Sequence, residues 1–238
     1  MALIEILALA LAPVAFLFTL VYLSDRYERE PLRYLVVSFV LGMLIAVPVV
    51  LLGNWLNAFL GVSGEGGIGE LLVYAFVVVA LTEEGMKYLV LRWYNYPHRE
   101  FDEPYDGIMY AVAVSLGFAA IENVLYVLTS EGIATGIVRM FTAVPAHATF
   151  GVLMGYFVGK AKFGPPARAL GYRLLGLLSA VAMHGFYDFF LFLANTYLAF
   201  FSFFALGAGL LLARRAMLLH ASISPHRLPP ADTEDAEA

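Results

Sequence analysis

Glu83, Glu84 and Lys87 stand together inside an apolar run, in V-A-L-T-E-E-G-M-K-Y (Val79–Tyr88). On a helix Glu83 and Lys87 are four apart and Glu84 and Lys87 three apart, so both carboxylates lie near the ammonium. The run extends from about Ile68 to Trp93, long enough to cross a bilayer. At mid-depth a charged side chain costs roughly 2.5–3.5 kcal/mol on insertion scales, and such residues mark functional sites by default. Other polar residues interrupt apolar runs in the same way. Glu122 follows F-A-A-I, with Asn123 beside it but about 100° round the helix. His147 comes two residues after Pro145, and His184 and Asp188, four apart, share one helix face. At ~1.5 Å rise per residue, Glu84, Glu122, His147 and His184 each fall within roughly 6 Å of the middle of their own run. A network that merely pins helices together has no reason to converge on one level.

Carboxylates and imidazoles in a chain with no cysteine point to water as the nucleophile. A glutamate takes the proton, and a histidine or a cation stabilises the oxyanion. Two histidines with carboxylates also suit a divalent metal, Zn²⁺ first, with Glu84, Glu122, His147 and His184 as its ligands. The alternative needs no metal: an aqueous cavity solvates the carboxylates, and Glu83 or Glu84 with His147 activates water. Which of the two glutamates is the base stays open. Lys87 is the electrostatic partner of this pair, and Asn123 has a supporting role. No H-E-x-x-H is present, and Ser115 and Ser179 lack a nucleophile setting. A non-catalytic membrane scaffold or an ion-coupled transporter would use the same residue types. No internal repeat favours the transporter.

The elements that must position these groups are long helices. The 238 residues are 61% hydrophobic and 14% charged, with a mean hydropathy of +0.80, against about 25% charged in soluble domains. The apolar residues come in uninterrupted blocks, which excludes an alternating outer-membrane barrel. No basic patch with interleaved aromatics points to nucleic acid. The expectation is an all-α polytopic membrane bundle of about seven transmembrane helices: Leu3–Leu23, Tyr34–Leu60 kinked at Pro48, Ile68–Trp93, Asp106–Thr129, Ile133–Val158, Leu174–Leu193 and Thr196–Ala213. Charged or glycine-rich loops separate them, including Ser24–Arg33, Gly61–Gly69, Tyr94–Tyr105 and Lys160–Arg173. Residues 1–220 are expected to form one membrane domain and 221–238 a disordered acidic tail. Gly151, Gly155 and Gly159, four apart, make a stripe that lets a neighbouring helix approach.

Charge supports the alternation of these spans. Of fourteen Lys and Arg, twelve fall on the side holding the 24–33, 94–105 and 160–173 loops and the C-terminus. Arg139 alone lies near the other side, and Lys87 is within the membrane. The positive-inside rule then puts the N-terminus outside and the C-terminus in the cytoplasm.

In order along the chain come D-G-I-M-Y (Asp106–Tyr110), F-A-A-I-E-N (Phe118–Asn123), H-A-T-F-G (His147–Gly151) and H-G-F-Y-D (His184–Asp188), all after E-E-G-M-K (Glu83–Lys87). Over roughly Leu71–Phe190 this resembles the PrsW family of bacterial intramembrane proteases. More remotely it is similar to the CAAX prenyl endopeptidases and to a scaffold subunit of gamma-secretase. The resemblance implies a protease of the bacterial cytoplasmic membrane that makes the site-1 cut in a single-span substrate, a membrane-anchored anti-sigma factor. It implies Glu83 and Glu84 as the carboxylates that activate water, with Glu122 and His147 beside them. His184 and Asp188 take the place of the pair that holds the oxyanion in the CAAX enzymes. This chain has Glu122 where those enzymes carry histidine and Asp188 where they carry asparagine. An anionic Asp188 would repel an oxyanion unless protonated or metal-bound, which favours a metal.

Overall fold

The computed structural model describes residues 3–25, 27–128, 133–193 and 196–227. The described residues are mostly helical, with no strand among them. α1 (Leu3–Ser24), α2 (Leu32–Leu44) and α3 (Ala46–Leu60) come first. The run carrying the two glutamates is helical throughout. It begins as α4 (Ile68–Val73), widens into a π-helix at Tyr74–Leu81, continues as α5 (Thr82–Val90) and closes in a second π-helical turn at Leu91–Asn95. α6 (Pro104–Tyr126), α7 (Ile133–Phe141), α8 (Ala143–Phe163), α9 (Ala169–Phe192) and α10 (Thr196–Ser222) complete the bundle. Five stretches are long and apolar enough to cross a membrane: Leu32–Leu60, Pro104–Tyr126, Gly136–Phe163, Pro166–Phe192 and Tyr197–Ser222. Together with α1 and the interrupted 68–95 run they trace seven helical passes.

Two prolines divide runs that the pattern alone reads as single spans. Proline lacks the N–H that would bond the carbonyl four residues back, and its ring crowds that carbonyl. Pro48 stands four residues after Leu44, where α2 ends, and Pro145 stands four after Phe141, where α7 ends. Each proline is the third residue of the helix that follows, where no intrahelical donor is needed.

The loops are shorter than their charges imply. Lys160 and Lys162 belong to the last turn of α8 instead of opening a loop. Their alkyl stems lie along the bundle while the ammonium groups sit over Tyr156, Tyr172 and Phe101, so charge at a helix end does not mark its terminus. Arg214 and Arg215 likewise fall inside α10, which continues to Ser222. Of the expected acidic tail, residues 228–238 lie outside the described residues.

α6 is the axis of the bundle, packed chiefly against α8 and α2. Every residue from Pro104 through Ala120 is buried, as expected of a helix apolar all round. Small residues allow the close approach. A Cβ on Gly155 would strike the backbone of Gly107 and Ile108, and one on Gly117 would strike the Phe39 carbonyl. The glycine stripe on α8 therefore faces α6. Connecting segments meet at one end of the bundle: Arg33 approaches Glu100 at 3.9 Å, Lys162 donates to the carbonyls of Tyr96 and His98, and His226 lies 3.7 Å from Glu28 and 3.4 Å from Asp102.

Candidate active site

α5, α6, α8 and α9 bring their polar residues to one place. Thr82, at the start of α5, bonds back to the carbonyls of Val78 and Val79, holding the helix as it leaves the π-helical stretch. Such stretches recur at functional sites. One turn on, Lys87 Nζ sits 2.6 Å from Glu84 Oε1, 3.4 Å from Glu83 Oε2 and 3.1 Å from His147 Nδ1. It also lies 4.4 Å from the Phe118 ring centroid. An ammonium has only protons to give, so His147 Nδ1 accepts and the ring proton is assigned to Nε2. That nitrogen faces Glu122 Oε2 at 2.7 Å. His184 is held in parallel on the other side. Its Nδ1 is 3.0 Å from Glu84 Oε1 and its Nε2 3.2 Å from Asp188 Oδ2. The Phe150 ring stacks on the His184 imidazole, centroids 4.8 Å apart.

The residues singled out by type and spacing thus form one connected network: Glu83, Glu84 and Lys87 from α5, Glu122 from α6, His147 from α8, His184 and Asp188 from α9. Asn123 joins through its Oδ1, which accepts from Arg139 Nε at 2.8 Å. Ser115 takes no chemical position, since its buried hydroxyl donates to the His147 carbonyl at 2.6 Å. Arg139 is the member that sequence reasoning left out. Its guanidinium lies 2.8 Å from Glu122 Oε2 and 3.9 Å from the Tyr126 ring centroid. The available signal was a lone arginine inside an apolar run, eight residues before His147.

A cavity of about 480 Å³ opens onto this network, with Glu83, Glu122, His147, His184, Asp188 and Arg139 in its walls. Glu84 does not line it and is fully buried. For a divalent cation, the donor atoms of Glu83, Glu84 and His184 lie within 4.8 Å of one another. Glu84 Oε2 is buried without a hydrogen-bond partner, as a ligand oxygen would be. Four carboxylates (Glu83, Glu84, Glu122, Asp188) against two fixed cations (Lys87, Arg139) leave a formal charge of −2 with both imidazoles neutral, which one divalent ion balances. The donor set fits a metal. Glu122 and His147 stand outside that three-residue group, and their facing atoms are engaged with each other, with Lys87 and with Arg139.

A multi-pass helical bundle that buries carboxylates, imidazoles and an accessible cavity among its spans has the make-up of an intramembrane hydrolase. Comparison with known proteins narrows this to a family. Residues 30–220 match the family described as PrsW family intramembrane metalloprotease. The chain is 35% identical over 230 residues to Protease PrsW of Geobacillus kaustophilus (strain HTA426), covering 97% of this chain and 99% of that one. It is 37% identical over 186 residues to Protease PrsW of Bacillus subtilis (strain 168), covering 78% and 82%, and 36% identical over 192 residues to the Clostridioides difficile (strain 630) protein of that name, covering 79% of each. No solved structure matches. The chain belongs to the PrsW family: it is a multi-pass intramembrane protease.

Proposed function

We propose that this protease cuts a single-span membrane protein, an anti-sigma factor, at the network around Lys87 in a bacterial cytoplasmic membrane. The carrying observation is that Glu83, Glu122, His147, His184 and Asp188, from four helices, all border one cavity inside the bundle. Glu83 is the carboxylate of the α5 pair that reaches the cavity, so it is assigned as the base. It takes a proton from water as the water oxygen bonds to the scissile carbonyl carbon. The proton passes to the leaving nitrogen as the C–N bond breaks, giving a carboxylate and an amine. Glu84, buried behind it, holds Lys87 and His184 in place. His184, oriented by Asp188, and His147, oriented by Glu122, flank the carbonyl. The family's metal, Zn²⁺ in this reading, would be held by Glu84 and one ring nitrogen of His184, with Glu83 beside it as the base. When bound it supplies Lewis-acid polarisation and a more acidic water.

The test is cleavage of a single-span substrate by purified protein in liposomes, with metal analysis of the same samples. Wild type is expected to release both fragments, and Glu83→Gln to lower kcat by at least about 10²-fold, within the usual span for a lost general base. Glu84→Gln and His184→Ala are expected to lose metal, while His147→Ala retains it. A wild type that cleaves no single-span protein retires the substrate reading. Full activity in strong chelator with no stoichiometric metal retires Zn²⁺.

A further inference from the structure

Arg139 belongs to none of the recurring motifs, yet it joins the site from α7, a helix that contributes no other charge to it. Its side chain is 14% exposed, and its polar contacts run to neighbouring residues of α6: Nε to Asn123 Oδ1 at 2.8 Å and Nη2 to Glu122 Oε2 at 2.8 Å. The guanidinium plane rests over Tyr126, one turn further on the same helix. Glu122 Oε2 thereby receives two contacts, from Arg139 and from His147 Nε2 at 2.7 Å, and His147 is held at its other nitrogen by Lys87. The order is Arg139, Glu122, His147, Lys87, Glu84, each within 3.1 Å of the next. The helix break after Phe141, four residues before Pro145, separates α7 from α8, so that Arg139 reaches α6 from α7 while His147 stays on α8.

We propose that Arg139 is a positioning residue of the protease. It fixes the Glu122 carboxylate so that Glu122 and Lys87 clamp the His147 ring between them, with its ring proton directed at Glu122. This rests on the assignment of His147 to the reaction site made above. A simple helix tether would need only one of these contacts. Arg139 instead combines a hydrogen bond from Nε to the amide oxygen of Asn123 with an ion pair between Nη2 and the adjacent carboxylate, a planar arrangement that lysine reproduces only in charge.

Steady-state cleavage of a single-span substrate in liposomes gives the first readout. Arg139→Met is expected to lower kcat by about 10²-fold, the scale set by small misplacements of reacting groups, with KM within about twofold. Arg139→Lys should recover part of the loss, and methylguanidinium should restore part of the activity of Arg139→Gly through the cavity. The Glu122→Gln, Arg139→Met double variant should be no slower than Glu122→Gln alone, because the arginine acts through that carboxylate. Fully additive losses, or a change confined to KM, would overturn the proposal. A second readout does not need activity. In [¹⁵N]histidine-labelled protein the His147 ring signals, identified by their loss in His147→Ala, should move in Arg139→Met and return towards wild type in Arg139→Lys. Unmoved signals in Arg139→Met overturn the clamp even where no substrate is cleaved, whereas moved signals in a protein without cleavage leave the clamp standing and retire only the catalytic reading.

Discussion

Lys87 is the residue on which the site's electrostatics turn. Its ammonium is buried at 2% exposure against Glu84, Glu83 and His147, and the Glu122 carboxylate stands one contact further, through His147. Removing one partner of a buried ion pair leaves the other charge uncompensated, at a cost of roughly 3–5 kcal/mol. Lys87→Met is therefore expected to destabilise the protein by an amount of that order and to abolish cleavage. Arg33→Gln is the proper control: that side chain is 72% exposed, with one loose ion pair at 3.9 Å and the Tyr34 ring at 4.6 Å, and surface changes usually stay within about 0.5 kcal/mol. Thermal unfolding of both variants in one detergent checks this, and a Lys87→Met protein as stable as the control would show that the ammonium is not paired. Lys162 would mislead as a control, because it donates to two backbone carbonyls. The pairing of Lys87 with the two glutamates was legible because three- and four-residue spacings fix neighbours on a helix. Its contact with His147 was not, since sixty positions separate them and only packing sets that distance. Arg139 escaped for a related reason. Near the end of an apolar run, an arginine reads equally well as the interfacial anchor of a span.

Among the elements, the α6–α8 contact decides whether the network assembles, since Glu122 and His147 sit on opposite sides of it. Gly107 and Gly155 place their backbones in direct contact there, and a Cβ at Gly155 meets main chain rather than a movable side-chain tip. Gly155→Val is expected to force the helices apart, with a loss of about 1–3 kcal/mol as in other overpacked interiors and a marked fall in cleavage. Gly171→Ala, where nothing lies within 4 Å of the added carbon, should be near neutral. Equal unfolding midpoints for the two variants would contradict this helix contact. The stripe itself was readable from the four-residue spacing of Gly151, Gly155 and Gly159, but not its partner helix. The sequence also showed where helical runs lie and marked Pro48 as a kink, but it did not place the break after Leu44 or divide the 133–158 run after Phe141. Hydropathy is blind to a backbone break, and each break precedes its proline by four residues. The π-helical stretch at Tyr74–Leu81 carries no signature in side-chain type and was invisible for that reason.

The molecule as a whole is polarised. One end gathers Asp25 and the segments 27–31 and 96–103 with the α10 exit, and there Asp25, Glu30 and Glu103 are buried. Burial raises the Glu30 carboxyl to about 8, with the Tyr110 hydroxyl bonded to it, and raises Asp25 to about 7. Both are thus protonated in the fold under conditions where the unfolded chain ionises them. Their contribution to stability is complete below the ordinary carboxylate range and fades as pH rises towards 7–8. The unfolding midpoint should therefore fall between about pH 5 and pH 8, and Glu30→Gln should flatten that slope; a midpoint that rises with pH would contradict the burial. By the alternation of the passes this end takes twelve of the fourteen arginines and lysines, some in connecting segments and others, such as Lys160, Lys162, Arg214 and Arg215, within the helices that lead to it. With Lys87 kept inside by its ion pairs and Arg139 drawn into the site, the opposite end is left almost without cations. By the positive-inside rule the polarised end is expected in the cytoplasm and the 61–67 turn outside. The absence of native cysteine makes this directly measurable. Gly67→Cys and Ala167→Cys sit at exposed positions of opposite ends. In intact cells an impermeant maleimide should label Gly67→Cys and reach Ala167→Cys only after lysis. Labelling of both from outside would mean that an even number of crossings separates them, and the seven-pass arrangement would fall. Labelling of Ala167→Cys alone would keep the seven passes but invert the chain in the membrane.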